Sequence, residues 1–393
     1  MEAGAATDVG VAAGVEAARL RRLEVRDFRN LEHVELTPPA EGVAVIGENG
    51  QGKTNLLESI YYLQILRSAR GARDQDLVRF GQPAFHISAV VESGVAHEIG
   101  VGFERAGKRK RVRVDGDVPA RLSDALGALP SVLFSPADVE LVAGSPNARR
   151  RYLDIMLALT TRGYLTALQQ YRAALMRRNA ALRAAQRSSR DQSANVASIA
   201  AWEPALAEHG AVIWTARAAW TESIERTFEV LCAEIGESSQ VRVRYSSSPA
   251  LAEDPVGVLT RALAERRALD LKRGMTHAGP HRDDLTLTID GRDLRTFGSA
   301  GQQRSAAIAL RMLEVTTFKE RTGRTPLFLL DDPFAELDAR RSSRILDLLT
   351  SGEQLGARQI ILAVPRETDI PRALTGLERL SMAGGQVSPM DAA

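Results

Sequence analysis

One cysteine, few aromatic residues and almost no charge imbalance mark this chain of 393 residues. A lone Cys232 forbids an internal disulfide and fits a reducing compartment. Its place in an apolar helical run suits a small core residue. The six histidines show no metal-ligand spacing, and neither H-E-x-x-H nor paired C-x-x-C occurs. No run reaches the ~18 consecutive apolar residues of a membrane helix. Residues 1–18 are mainly Ala, Gly and Val with Glu2, Asp8 and Glu16, lacking a basic leader or an Arg-rich face. Residues 1–19 are therefore expected to be a disordered extension of a soluble, cytoplasmic protein. Lys+Arg 51 against Asp+Glu 49 leaves a formal +2, so only local charge can identify partners.

What is present is more informative. Val43-Ala44-Val45-Ile46 runs into Gly47-Glu48-Asn49-Gly50-Gln51-Gly52-Lys53-Thr54, and an apolar helical run follows from Asn55. A β-branched strand, the G-x-x-x-x-G-K-[ST] octet and a helix stand in the order that phosphate binding requires. The glycines let successive backbone N–H groups turn around the phosphates of ATP. Lys53 supplies a point charge, Thr54 a hydroxyl for Mg²⁺, and the helix N-terminus favours the anion. A glycine-rich loop without a ligand is the competing reading, and the correct flanking elements argue against it.

A second half appears far downstream. Leu327-Phe328-Leu329-Leu330 ends in Asp331-Asp332, a buried strand carrying carboxylates at its tip. Asp331 is the expected metal-side residue, Asp332 the candidate general base, and Glu336 the reserve. Lys53 and Asp331 lie 278 residues apart. Such a gap, filled by other elements, suggests one ATPase head split by an inserted arm. Between the halves, Gly298-Ser299-Ala300-Gly301-Gln302-Gln303-Arg304 opens a helix, and Ser299, Gly301 and Gln302 can face an anion. Read alone, this is equally an ordinary helix start.

The intervening texture supports a division. Residues Phe85 to Val118 alternate apolar and polar, with turns at Ala106-Gly107 and Asp115-Gly116, as in an antiparallel meander. Arg149 to Arg187 and Val196 to Ile235 show helical spacing, joined by the polar stretch 188–193, and predict a long helical hairpin. A helix is expected from Pro255 to Arg273, another from Ala300 to Arg321, and a last strand from Gln359 to Val364. The expected units are residues 20–143, the first part of the head; 144–275, the arm; and 276–393, the rest of the head. The fold class is α/β with an antiparallel subdomain.

Between Gly144 and Arg190 ten arginines face one acid, Asp154. Arg149, Arg150, Arg151, Arg177 and Arg178 are candidate DNA contacts. Lys108 and Lys110 join them from a second basic cluster on the meander. The alternative is a solvated helix face. Few aromatics interleave with the charges, which favours duplex backbone binding over single-strand stacking.

The same motifs resemble the ABC-type ATPase heads of the SMC and Rad50 group, and within it the RecF family of bacterial recombination mediators. The resemblance rests on the phosphate loop with Asn49 at its third place, Phe28-Arg29-Asn30, Arg67-Ser68-Ala69-Arg70, and Arg73-Asp74. Phe134-Ser135-Pro136-Ala137-Asp138, Gly144-Ser145-Pro146, Arg149-Arg150-Arg151, Gly279 to Asp284, and Asp331-Asp332 through Glu336-Leu337-Asp338 complete it. It implies nucleotide contacts from Arg29 and Asn30. It also implies an ATP-dependent homodimer in which Ser299 touches the γ-phosphate of the other subunit. Weak hydrolysis would act as a switch on duplex and gapped DNA. RecO and RecR are the implied partners, loading of RecA the implied task, and SOS induction an implied consequence. The chain departs from related heads at Asp332, where Glu is frequent, at Pro333, and at Ala363-Val364-Pro365, which offers no histidine. A transporter's ATP-binding subunit and an SMC-like structural clamp are the rival readings.

Overall fold

The computed structural model describes residues 16–187, 192–250, 252–335, 337–351 and 359–390. Residues 1–15 of the expected extension, residues 188–191 of the polar stretch, and Glu336 lie outside them. The boundary at residue 19 shifts: Glu16–Ala17 is already a strand, paired in parallel with Arg324–Thr325.

Two sheets organise the head. The first runs Gln386–Pro389, Glu378–Ala383, Gly42–Ile46, Ile360–Val364, Leu327–Asp331, Ser131–Phe134, parallel except at its Gln386–Pro389 edge. Gly42–Ile46, Ile360–Val364 and residues 327–330 of the third central strand are apolar and buried throughout because both faces are covered. Val43, Val45, Leu329 and Ile361 face one buried cluster, which holds the helix Lys53–Ile65 and the antiparallel sheet. Ala44, Ile46, Leu330 and Leu362 face another, which reaches into the helices. The second sheet orders Leu31–Leu36, Arg19–Phe28, Ala84–Ser93, Val95–Glu104 and Arg109–Val114, all antiparallel. The expected meander is therefore present, with an additional reversal at Gly94, whose φ is 75°. The strands Glu378–Ala383 and Gln386–Pro389 escaped the sequence reading. Glu378–Ala383 pairs with the loop strand and Gln386–Pro389 with Glu378–Ala383, while Leu380 and Met382 join the buried cluster.

The arm is more broken than its periodicity suggests. The first run divides into Pro146–Thr160, which ends at the extended Thr161, and Tyr164–Gln186, which starts from Gly163 with a φ of 81°. The second divides into Gln192–Ala200 and Glu203–Ile235, the expected Pro255–Arg273 helix into Pro255–Glu265 and Arg267–Arg273. Helices Tyr164–Gln186 and Glu203–Ile235 pack together as the hairpin. The hairpin is not free-standing. Tyr171, Ile213 and Phe228 share one buried cluster with Ala44, Phe328 and Leu313 of the head. Trp220 Nε1 donates to Thr317 Oγ1 at 2.9 Å, tying the arm to the helix Ala300–Thr322. Packing thus crosses both expected boundaries, at 143/144 and 275/276.

His281 sits at this junction. Tyr171 OH lies 2.6 Å from its Nδ1 and the Thr276 carbonyl 3.0 Å from its Nε2, a pattern suited to the neutral ring. Burial pushes its pKa from the ordinary 6.5 down to about 4, assisted by the charges of Arg282 and Arg150. A histidine whose folded pKa is depressed stabilises above the unfolded value and loses that contribution as pH falls. Stability should drop by about 2 kcal/mol between pH 7 and pH 5 from this group. Urea unfolding at the two pH values should show the difference, and His281→Gln should flatten it. An equal slope in the variant places the acid sensitivity elsewhere.

Candidate nucleotide and DNA site

Gly50 and Gly52 carry φ of 83° and 120°, conformations that let the loop turn its amides inward. A Cβ on Gly52 would stand 2.9 Å from Asn30 Oδ1. Asn30 is fixed against the loop from outside, donating to the Gln51 carbonyl at 3.1 Å and accepting from Asn55 at 2.8 Å. Lys53 is buried and curls over the loop, donating to the carbonyls of Gly47 and Glu48 at 2.5 and 2.9 Å. Burial pushes its ammonium below the usual lysine range, opposed by Asp331 and Asp332. These carbonyl bonds satisfy the ammonium within the loop.

Across the sheet, Thr54 Oγ1 donates to Asp331 Oδ2 at 2.8 Å. Burial, then the neighbouring Asp332, push the Asp331 carboxyl upward against the Thr54 bond. Asp332 is also raised, by burial and then by Asp369. A hard-oxygen pair with excess negative potential fits Mg²⁺, which Thr54 and Asp331 would hold. Asp332 has a φ of 44°, unusual for a non-glycine residue, and its N–H donates to the Ala363 carbonyl at 2.9 Å. The turn carries its carboxylate to the cavity wall.

That cavity has a volume of 430 Å³; Asn49, Lys53, Thr54, Asp331, Asp332 and Pro365 are among its walls. Asn49, Lys53, Thr54, Asp331 and Asp332, the residues expected from the sequence, thus share one cavity, and Arg70 joins them. Arg70 lines the same cavity and binds Glu58, which also takes bonds from Arg29 at 3.2 and 3.3 Å and from Ser68 at 2.5 Å. Burial opposes ionisation of Glu58, but the bonds from Arg70 and Ser68 win and hold its carboxyl below the ordinary range. Arg29 thus acts on Glu58 rather than facing the cavity directly. The signal for Arg70 was the Arg67-Ser68-Ala69-Arg70 motif itself.

Ser299, Gly301 and Gln302 are not part of this wall. Ser299 is exposed and caps its helix: its hydroxyl accepts from the Gln302 N–H at 3.3 Å, while Gln302 Oε1 accepts from the Ser299 N–H at 2.9 Å. Gln302 also reaches Glu237 at 3.2 Å. A Cβ on Gly301 would stand 2.4 Å from Arg341 Nη1.

The candidate DNA contacts divide sharply. Arg178 has no exposed surface and binds Asp270 at 2.7 Å and Glu203 at 3.0 Å. Arg149 is 6% exposed and forks onto Asp284 at 2.7 and 2.8 Å. Neither guanidinium can reach a surface ligand, which corrects the expectation for both. Helical periodicity places Arg178 on the same buried face as Tyr171 and Leu182, and deep acids stabilise its charge. Arg150 and Arg151 are half-buried. Lys110 is tied to Asp74 at 2.7 Å and to the Leu66 carbonyl at 2.7 Å, above the Tyr62 ring. Arg177, lying over Trp202 at 5.0 Å, and Lys108 remain exposed.

With this geometry established, its relatives become informative. The model of the "RecF/RecN/SMC N terminal domain" matches residues 19–383. The DNA replication and repair protein RecF of Citrifermentans bemidjiense is 37% identical over 341 residues, covering 85% of this chain and 91% of that protein. RecF of Chloroflexus aurantiacus is 36% identical over 392 residues, covering 94% and 99%.

The chain belongs to the RecF family.

A solved RecF structure, the ATP complex of a recombination mediator in the RecFOR pathway, matches with a TM-score of 0.86 and 29% identity over 97% of this chain and 100% of that one. The Smc head domain from Pyrococcus furiosus matches at 0.55 with 17% identity, covering 95% and 96%, which shows shared fold. The expected ABC-type head with an antiparallel sheet and a helical arm is thereby shown.

The interior arginines of this RecF-family chain make one prediction distinct from DNA binding. Arg178→Ala strands the buried carboxylates of Asp270 and Glu203 and should lower stability by about 3–5 kcal/mol. Urea unfolding will read this; an unchanged midpoint would remove Arg178 from the structural network.

Proposed function

We propose that this chain is an ATP-binding recombination mediator acting in DNA replication and repair, as its RecF relatives are named. The observation that supports this best is the convergence of Lys53, Thr54, Asp331 and Asp332 on one cavity from opposite ends of the chain. The loop N–H groups from Asn49 to Thr54 bind the phosphates, with Lys53 leaving its carbonyl partners for the anion. Mg²⁺, held by Thr54 and Asp331, supplies charge neutralisation at the phosphates. Asp332 orients and deprotonates the attacking water, with Glu336 in reserve. Burial and then Asp369 raise the Asp332 carboxyl, which strengthens it as a base toward that water.

ATP is read here as a ligand that favours assembly of two copies. The exposed Ser299 and the first amides of its helix then face the γ-phosphate held by the other copy. Hydrolysis releases the pair, a weak DNA-dependent ATPase used as a switch. Duplex and gapped DNA bind the assembled form; Arg177 and Lys108 remain exposed to contribute, and Arg150 and Arg151 are partly accessible. RecO and RecR are the proposed partners, loading of RecA the proposed task, and SOS induction a downstream consequence. A cytoplasmic location follows from that work. The names of the relatives favour this reading over a transporter subunit. An SMC-like structural clamp differs only in needing little hydrolysis.

Lys53→Met should weaken ATP binding by roughly 10–100-fold through loss of a charge-assisted phosphate contact. Fluorescent-nucleotide titration checks this, and unchanged affinity would falsify the loop assignment. Ser299→Arg should retain ATP binding yet stop ATP-dependent dimerisation in light scattering. Normal dimerisation by that variant refutes the trans contact.

A further inference from the structure

On the arm side of the head lies a separate hollow of 240 Å³. Arg150, Arg151, Arg172 and Arg217 line it, and Asp154 is the only carboxylate among its walls. Asp154 is already fully engaged: Oδ1 accepts from Arg217 at 2.7 Å and Tyr164 at 2.6 Å, and Oδ2 from Arg172 at 2.8 Å. Among the described residues Arg151 donates to backbone carbonyls alone, those of Ser68 and Ala69 at 2.6 and 3.3 Å. Arg150 likewise uses the Asp283 carbonyl and the Asn147 side chain. The nearby carboxylates offer no relief. Asp283 accepts from Trp214 and Tyr245, and Asp284 is occupied by Arg149.

Arg67, just beyond the loop helix, is not one of the hollow's walls but lies near enough to feel the charges of Arg151 and Arg172. It is half-buried and makes no hydrogen bond or ion pair among the described residues. Burial, then the charges of Arg151 and Arg172, push its pKa below the usual arginine range. Burial and Arg172 likewise push Arg151 down. Several partly desolvated guanidiniums therefore converge with one carboxylate to neutralise them. Guanidiniums in a hollow of this kind match the planar, multidentate recognition of an oxyanion.

We propose that this hollow is a receptor for a phosphate-type oxyanion, joining the exit of the loop helix to the arm. The anion bridges Arg150 and Arg151 to Arg172 and Arg217 on the hairpin, and the nearby charge of Arg67 adds to its attraction. It does not depend on ATP binding at the phosphate loop, but it uses Arg150 and Arg151, the pair offered to DNA above, where free phosphate and a DNA phosphate present the same chemistry.

The test uses the full chain at constant ionic strength, with inorganic phosphate replacing chloride, and compares it with Arg67→Gln. Arg67 holds nothing by hydrogen bonds, so in phosphate-free buffer the variant should melt at or above the parent as like-charge repulsion is relieved. Phosphate should raise the parent's melting temperature, and the variant should lose part of that rise, although its phosphate loop is intact. A variant that melts lower without phosphate, or that keeps the full rise, overturns the receptor; so does a parent that does not respond. Competition then distinguishes the sources. A short duplex that abolishes the phosphate response at this site assigns it to a DNA phosphate, and one that leaves it unchanged assigns it to the free anion.

Discussion

A hydrogen bond of 2.8 Å between Thr54 and Asp331, residues 277 positions apart, is the constraint to which the rest of the chain conforms. Phosphate chemistry needs a hydroxyl, an ammonium and a carboxylate within one small volume. In this chain a sheet whose strands come from both ends supplies them. The loop strand Gly42–Ile46 lies beside Ile360–Val364, which lies beside Leu327–Asp331. Parallel pairing aligns their C-terminal ends, so the loop and both acids emerge at one edge. Between Ile65 and Leu327 the chain leaves, returns as Ser131–Phe134 beside Leu327–Asp331, and leaves again without disturbing that register.

The excursion is held by buried charge as much as by apolar packing. Arg178, Arg217 and Arg149 each bind carboxylates in the interior. Removing water from such groups is unfavourable, so geometry has to be close and complete, which restricts how the hairpin can sit on the head. The arginine density that first pointed outward toward a polyanion thus divides into interior ties, exposed cations such as Arg177, and an intermediate group around the hollow. Their shared residue type conceals three different physical situations.

The helix Ala300–Thr322 connects these layers. Its first turn is exposed at Ser299, its middle is buried beside the sheet, and Thr317 receives the arm through Trp220. A shift of the arm therefore bears directly on this helix through Trp220.

Local patterns were sufficient for the loop, the acidic strand, the meander and the helical character of the arm, because each depends on neighbours in the chain: glycine conformations, strand alternation and helical spacing. Even the pairing of Lys53 with Asp331 was legible, since no other elements supply that chemistry. Tertiary structure alone decided which arginines are interior, that Arg70 reaches the nucleotide cavity, and that Glu378–Ala383 joins the sheet. Periodicity identifies a side chain's face on its own element, but not what covers that face; burial and charge compensation are set by partners tens or hundreds of residues away.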